Sequence, residues 1–219
     1  MEEREENILD AAHAVFAENG FDGAKMAAIA RHADVAEGTV YLYFKNKNAL
    51  LEAVIARFYA RLTEGAQRGV TGTDGTFERL NFLARYHVEQ CMAEWHILEL
   101  MIGLYRRMQD YEDRGYTFNK AYVAVFDQVF REGVARGELR GEVPLSIARD
   151  AFYGALEYSV RTMMLRGGGK TRARRAASRA IDLFCHGVSA HNAQAEVSGD
   201  IEAVTRRLEA VARKLEKRR

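Results

Sequence analysis

The sequence predicts an all-α chain divided into a small N-terminal helical unit and a larger helical bundle. Three observations carry that prediction. Apolar residues return at spacings of three and four through most of the 219 residues, Pro144 is the single proline, and β-branched runs are few. Glycines and short polar clusters punctuate the pattern, and a hydrophobic content of 48% supplies enough apolar surface for one or two cores.

The first helix is expected over about residues 3–19, with Ile8, Ala11, Ala12, Val15 and Phe16 as its buried stripe and Gly20 as its stop. Residues 25–47, KMAAIARHADVAEGTVYLYFKNK, hold two short amphipathic runs. Met26, Ala27, Ile29, Ala30 and Ala33 line the apolar side of the first. Asp34 and Val35 make the turn, where Asp tolerates a left-handed backbone that most residues resist. The second run, about 36–44, buries Val40 and Phe44 and presents Glu37, Gly38, Thr39, Tyr41 and Tyr43 on its other side.

Two helices of these lengths joined by a tight turn form a helix-turn-helix candidate, and the second fits the major groove of DNA. Gly38 allows close backbone approach, and the hydroxyls of Thr39, Tyr41 and Tyr43 suit phosphate or base acceptors. Lys45 and Lys47 follow, and a new helix starts near Asn46 with its positive end toward the same region. The same spacing also describes a plain helical hairpin with a solvated polar face.

The wider stretch 7–51, with Ile8 through Phe16, Asn19-Gly20-Phe21, Ile29-Ala30, Gly38-Thr39, Tyr41, Tyr43-Phe44, Lys47 and Leu50, resembles the N-terminal domain of TetR-family transcriptional regulators. That resemblance implies a helix-turn-helix DNA-binding domain over 1–47 and a ligand-binding and dimerisation domain over 48–192. A linker and an additional amphipathic helix over 193–219 come after them. It points to DNA contacts by Lys25, Glu37, Gly38, Thr39, Tyr41, Leu42, Tyr43, Lys45 and Lys47. Three positions depart from the family pattern: Lys25 and Ala36 replace capping hydroxyl residues, and Asp34 replaces a turn glycine. Affinity for DNA is therefore expected to lean on Tyr41, Tyr43, Lys45 and Lys47.

Net charge is only +1, but its distribution is uneven. Residues 1–24 carry Arg4 against seven carboxylates, whereas Lys25, Arg31, Lys45 and Lys47 collect on the proposed DNA face. The acidic residues Glu2 to Glu6 favour the positive end of the first helix. Non-specific DNA binding is expected to be weak and sensitive to salt.

A long helix over about 47–67 leaves the small unit and enters the bundle, a lever between the two. Residues 69–76, GVTGTDGT, read as a break with Thr73, Asp74 or Thr76 as caps. They lack the lysine and preceding strand of a phosphate-binding loop. Helices over about 77–92, 94–108 and 112–136 follow, ended by Gly137 and Gly141. By resemblance this region encloses an effector cavity, for which Phe58, Leu62, Phe82, Tyr86, His87, Trp95, Leu98, Met101, Tyr122, Phe126, Phe152 and Leu156 are the expected lining. Any of these is equally at home in a plain core. His87 and Cys91, four apart with Glu94 and His96 beyond, offer an alternative as metal or redox sensors. No metal or cofactor is expected. Arg85, Arg106 and Arg107 are candidates for ion pairs or for an anionic head group.

Pro144 introduces a helix over 145–165 that is apolar on both sides. Gly167 to Gly169 separate it from the next, about 171–191. By resemblance this pair forms a homodimer interface, with Ala151, Gly154, Ala155, Tyr158, Ala177, Ile181 and Phe184 as contacts, and two-fold symmetry sets two reading helices on a palindromic operator. Beyond a polar linker, Ile201, Val204, Leu208, Val211 and Leu215 form a coiled-coil-type seam.

No signal peptide or apolar run of about 20 residues occurs, and Cys91 and Cys185 match no paired motif, so a cytoplasmic protein with reduced thiols and no membrane partner is expected. The function this supports is a ligand-responsive, dimeric DNA-binding regulator of the repressor type with double-stranded operator DNA and a small-molecule effector as partners. The segment VAEGTVYLYFKNK resembles TetR-type regulators of fatty-acid metabolism, which points to an acyl-CoA or fatty-acid effector. An enzyme is not expected, since no Glu-x-x-His pair occurs and the histidines are scattered. A non-DNA interaction protein acting through the C-terminal seam is the reading from another class.

Overall fold

The structure is a computed structural model that describes residues 3–107, 111–167 and 169–190. Nine helices follow one another among the described residues: α1 (Glu3–Gly23), α2 (Met26–His32), α3 (Glu37–Tyr43), α4 (Lys47–Thr71), α5 (Thr76–Ala93), α6 (Trp95–Arg107), α7 (Tyr111–Ala135), α8 (Leu145–Leu165) and α9 (Lys170–Val188). The expected seam over 201–215 lies outside the described residues. No helix among them is long and apolar enough to cross a membrane.

The N-terminal unit is built on one apolar stripe. Ile8, Leu9, Ala12 and Phe16 of α1 meet Ile29 of α2, Val40 of α3 and Leu50 of α4, all at most 2% exposed. Gly20 kinks α1 with φ 65°, a value open to glycine at little cost. Asp34 takes the left-handed turn conformation at φ 53°, as expected from its short polar side chain.

The α4 helix packs on α1 and also on α5 and α7, so it belongs to both halves. Its Arg57, 8% exposed, is ion-paired with Glu6 at 2.8 Å and Asp10 at 2.9 Å on α1. Gly65 and Gly69 let α5 approach so closely that a methyl group at either would overlap Tyr86 or Phe82. The two rings stack at 5.6 Å along this seam.

The break after α4 is shorter than expected, and the capping expectation for Thr73, Asp74 and Thr76 is corrected. Gly75, at φ 84°, occupies the cap position of α5 without a side-chain bond. The Thr73 hydroxyl instead donates back to the Gly69 carbonyl, and Thr76 is already the first residue of α5, accepting from Arg136 at 2.6 Å.

In the bundle α5 is central, packed against α4, α7, α8 and α9. The bounds of α8 match the expected 145–165. Its two sides differ: Ala148, Phe152, Leu156 and Val160 are buried, while Ile147 is 59% and Tyr158 71% exposed.

Candidate nucleic-acid interface and effector cavity

On the DNA-reading side, α2 and α3 present a continuous polar edge. Lys25, Arg31, His32, Glu37, Gly38, Tyr41, Leu42 and Lys45 are exposed, with Thr39 and Tyr43 half-buried. Neither Lys25 nor Ala36 supplies a side-chain cap, so both short helices depend on their packing at Ile29 and Val40 rather than on their ends. A Cβ at Gly38 would meet nothing, leaving the start of α3 open to close approach. Leu42, 85% exposed, and Tyr41, 48% exposed, project from α3 as apolar and amphipathic surface.

Lys47, half-buried beside that surface, also holds the unit together. Its ammonium donates to the carbonyls of Phe21 at 2.7 Å and Ala24 at 2.9 Å, with Asp22 at 3.4 Å, and sits 4.5 Å over the Phe21 ring. An ammonium has three protons, and all three point to the end of α1. Lys47 is therefore a clamp that closes the unit, and the cation nearest the reading helix on this side is the exposed Lys45.

The bundle encloses two adjoining cavities of about 400 Å³ and about 290 Å³, which share Cys91, Leu98, Gly154 and Glu157 in their walls. Of the expected lining, Phe58, Leu62, His87, Leu98 and Tyr122 border the first and Trp95, Leu98 and Met101 the second. The other five, Phe82, Tyr86, Phe126, Phe152 and Leu156, line neither cavity. Phe82 and Tyr86 lie against the glycines of α4, and Tyr86 borders a smaller hollow with Phe58 and Leu62. Phe126 and Phe152 pack at 4.7 Å in a solid aromatic cluster with Phe184, and Leu156 is 1% exposed in the same core. Reading the chain missed Tyr59, Asn119, Val123, Arg149, Asp150, Tyr153 and Glu157 as lining. A polar residue on an otherwise apolar helix face, such as Asn119 or Tyr153, was the available signal.

The first cavity has a polar wall. Burial lowers the pKa of His87 to about 4, so its ring is neutral. Its Nδ1 lies 3.1 Å from the Tyr122 hydroxyl and its Nε2 3.5 Å from the Cys91 sulfur. The hydroxyl of Tyr153, a residue 7% exposed, and Oδ1 of Asn119 have no hydrogen-bond partner among the described residues. Glu157 stands where the cavities join, open to solvent on its outer side, and the protein around its carboxyl raises its pKa. Arg149 is engaged bidentately by Asp127, at 2.8 and 2.6 Å.

The His87/Cys91 sensor alternative is corrected on two grounds. Burial pushes the Cys91 thiol far up, away from the thiolate that binds metal or attacks a disulfide. Among the described residues no third ligand stands with this pair. The side chains of Arg106 and Arg107 lie outside the described residues; Arg161 borders the second cavity instead.

The assigned dimer contacts divide in two. Ala151, Gly154, Ala155 and Tyr158 are exposed on α8, where Gly154 and Tyr158 also border the cavities. Ala177 and Ile181 are buried inside the subunit, and Phe184 is half-buried, packed on Phe126 and Phe152. The outer side of α9 carries Leu183, 76% exposed.

A helix-turn-helix unit joined through α4 to a helical bundle with an internal cavity defines a ligand-sensing, DNA-reading architecture. Residues 8–54 match the model of bacterial regulatory proteins of the tetR family, and residues 57–187 match that of the YsiA-like protein C-terminal region. The chain belongs to the TetR family of transcriptional regulators. It is 29% identical over 160 residues to the fatty acid metabolism regulator protein of Bacillus subtilis, covering 72% of this chain and 82% of that one. Its N-terminal part is 38% identical over 81 residues to the transcriptional repressor KstR of Mycobacterium tuberculosis, 37% of either chain. Among solved structures, FadR of B. subtilis in complex with stearoyl-CoA superimposes with a TM-score of 0.74 at 24% identity, over 83% of this chain and 98% of that one. FadR of Bacillus halodurans gives 0.73 at 25% identity, over 84% and 96%.

Proposed function

We propose that this regulator is a dimeric, cytoplasmic repressor released from a palindromic operator by a small, largely apolar effector, a fatty acyl-CoA or fatty acid. The observation that carries the reading is the pair of joined cavities in the bundle, together with similarity across both regions to regulators of fatty-acid metabolism. Leu62, Val123, Leu98 and Met101 suit an acyl chain, and each methylene buried there contributes about 0.8 kcal/mol. Tyr153, Asn119 and Arg161 suit its polar end. Phe58, Tyr59 and Leu62 of α4 take part in the cavity wall, so an effector that prefers one placement of α4 changes operator affinity by its differential binding to the two conformations.

Tyr41, Thr39, Gly38, Lys45 and Lys47 are the proposed DNA contacts, with Lys25, Glu37, Leu42 and Tyr43 beside them. The exposed stripe of Ile147, Ala151, Gly154, Ala155 and Tyr158 on α8, with Leu183 of α9, supports a two-fold interface. Fluorescence anisotropy with DNA from upstream of the protein's own gene tests the reading. Palmitoyl-CoA is expected to weaken operator binding at least tenfold while free CoA does not. The double variant Thr39→Ala/Tyr41→Ala is expected to lose the operator with an unchanged melting temperature. Operator binding indifferent to acyl chains from C8 to C20 would refute the effector class, and full binding by the double variant would refute the reading face.

A further inference from the structure

The three side chains His13, Glu94 and His96 converge where α1 meets the junction of α5 and α6, and His13 and Glu94 line a hollow of about 180 Å³ that shares Phe58 and Leu62 with the first cavity. Their ligand atoms form a small triangle: His13 Nε2 is 2.7 Å from Glu94 Oε2 and 3.2 Å from His96 Nε2, and His96 Nε2 is 3.6 Å from the same carboxylate oxygen. We infer that His13, Glu94 and His96 form a site for a divalent late first-row transition ion of the Zn²⁺ class, bridging the DNA-reading unit and the bundle.

Geometry is the first argument. Three ligand atoms around a tetrahedral Zn²⁺, each about 2.0–2.2 Å from the metal, stand about 3.3 Å apart. The observed edges of 2.7, 3.2 and 3.6 Å average close to that figure, so a point about 2 Å from all three atoms lies just outside their plane. Two imidazoles and a carboxylate are also the donor set that late first-row ions favour.

Hydrogen bonding is the second argument. A ring nitrogen carries either one proton or one lone pair, directed along a single line in the ring plane. Nε2 of His13 faces both a carboxylate oxygen and a second ring nitrogen, and the rings meet at 80° with centroids 4.7 Å apart. One proton serves one of those contacts well and the other poorly. A cation at the centre satisfies all three lone pairs together.

The backbone is already in place. Glu94 caps α5, and its carbonyl accepts from the amides of Ile97 and Leu98 in α6, while His13 sits in the middle of α1. The three side chains are 27–32% exposed, which leaves a fourth coordination position to water. Arg57, the nearest buried cation, is already paired with Glu6 and Asp10. Among the described residues this is the single group of three histidine, cysteine or carboxylate side chains close enough to share an ion.

The test is isothermal titration of ZnCl₂ into the full-length, tag-free protein after EDTA treatment, with CoCl₂ absorption as a second readout. One ion per chain is expected, with His13→Gln and His96→Gln each weakening binding at least tenfold and His186→Ala changing it less than twofold. Zn²⁺ is also expected to raise the melting temperature of the native protein and to leave that of both glutamine variants unchanged. Circular dichroism confirms that the variants fold, and the two partly exposed positions make that outcome the expected one. No saturable binding, or stoichiometric binding that survives both variants, overturns the site.

Discussion

In the DNA-reading unit Ile8, Phe16, Ile29, Val40 and Leu50 meet without a polar group among them, and the polar work is done at the rim by Lys47 and Arg57. In the bundle the polar groups are inside: His87, Tyr122, Tyr153 and Asn119 surround open space, and two of their atoms lack partners among the described residues. A close-packed apolar core specifies one arrangement. A cavity edged by half-satisfied polar groups is a place where a ligand adds what the chain leaves unmade. The reading unit is thus built to be rigid, and the bundle to respond.

The largest effect should come from the solid part of the bundle. Phe126→Ala removes a fully buried ring stacked among Phe130, Phe152 and Phe184, and is expected to cost about 3–5 kcal/mol in urea unfolding. A loss under about 1 kcal/mol would mean that the cavity extends into this cluster.

Acid should find the bundle before the reading unit. The pKa of folded His87 lies near 4, below the ordinary 6.5, so between those values the unfolded chain takes up a proton that the folded one refuses. Stability is full above about pH 6.5 and falls as pH drops toward 4, by about 3 kcal/mol over the whole window. Urea midpoints between pH 7.5 and 4.5 measure this slope, and His87→Gln should flatten it. An equal slope in the variant would locate the acid sensitivity elsewhere.

At the rim of the reading unit, Lys47→Met should lower stability by about 2–3 kcal/mol, because three carbonyls lose a charged donor. Lys45→Ala should change stability by less than about 0.5 kcal/mol while weakening operator DNA. If both variants lose DNA with native stability, Lys47 is a contact and not a clamp. The smallest effect is expected at the cavity wall: Tyr153→Phe deletes an unpartnered hydroxyl and should be neutral or stabilising by up to about 1 kcal/mol. A clear loss in thermal unfolding would show that the hydroxyl is bonded.

Legibility in the sequence followed the range of the interaction. Asp34 and Gly20 marked their turns because backbone preference is a property of one residue. Val40 and Phe44 marked the buried side of α3 because four residues make a helical turn. The clamp made by Lys47 was not legible, because its spacing beside Lys45 says where it sits on the helix, whereas the carbonyls it bonds come from residues 21–24. The stripe of Phe82 and Tyr86 was legible as apolar, but not that it meets the glycines of α4.

By itself the sequence determined the all-helical class, the reading motif, the long α4 and the limits of α8, since each depends on local backbone preference and on apolar spacing within one helix. Tertiary structure alone decided which faces surround space and which fill it, that Ala177 and Ile181 turn inward, and that His13 meets Glu94 across 81 positions of chain. Periodicity orients a side chain about its own helix axis. Which neighbour that side chain meets depends on how the helices pack together, a property that no single segment carries.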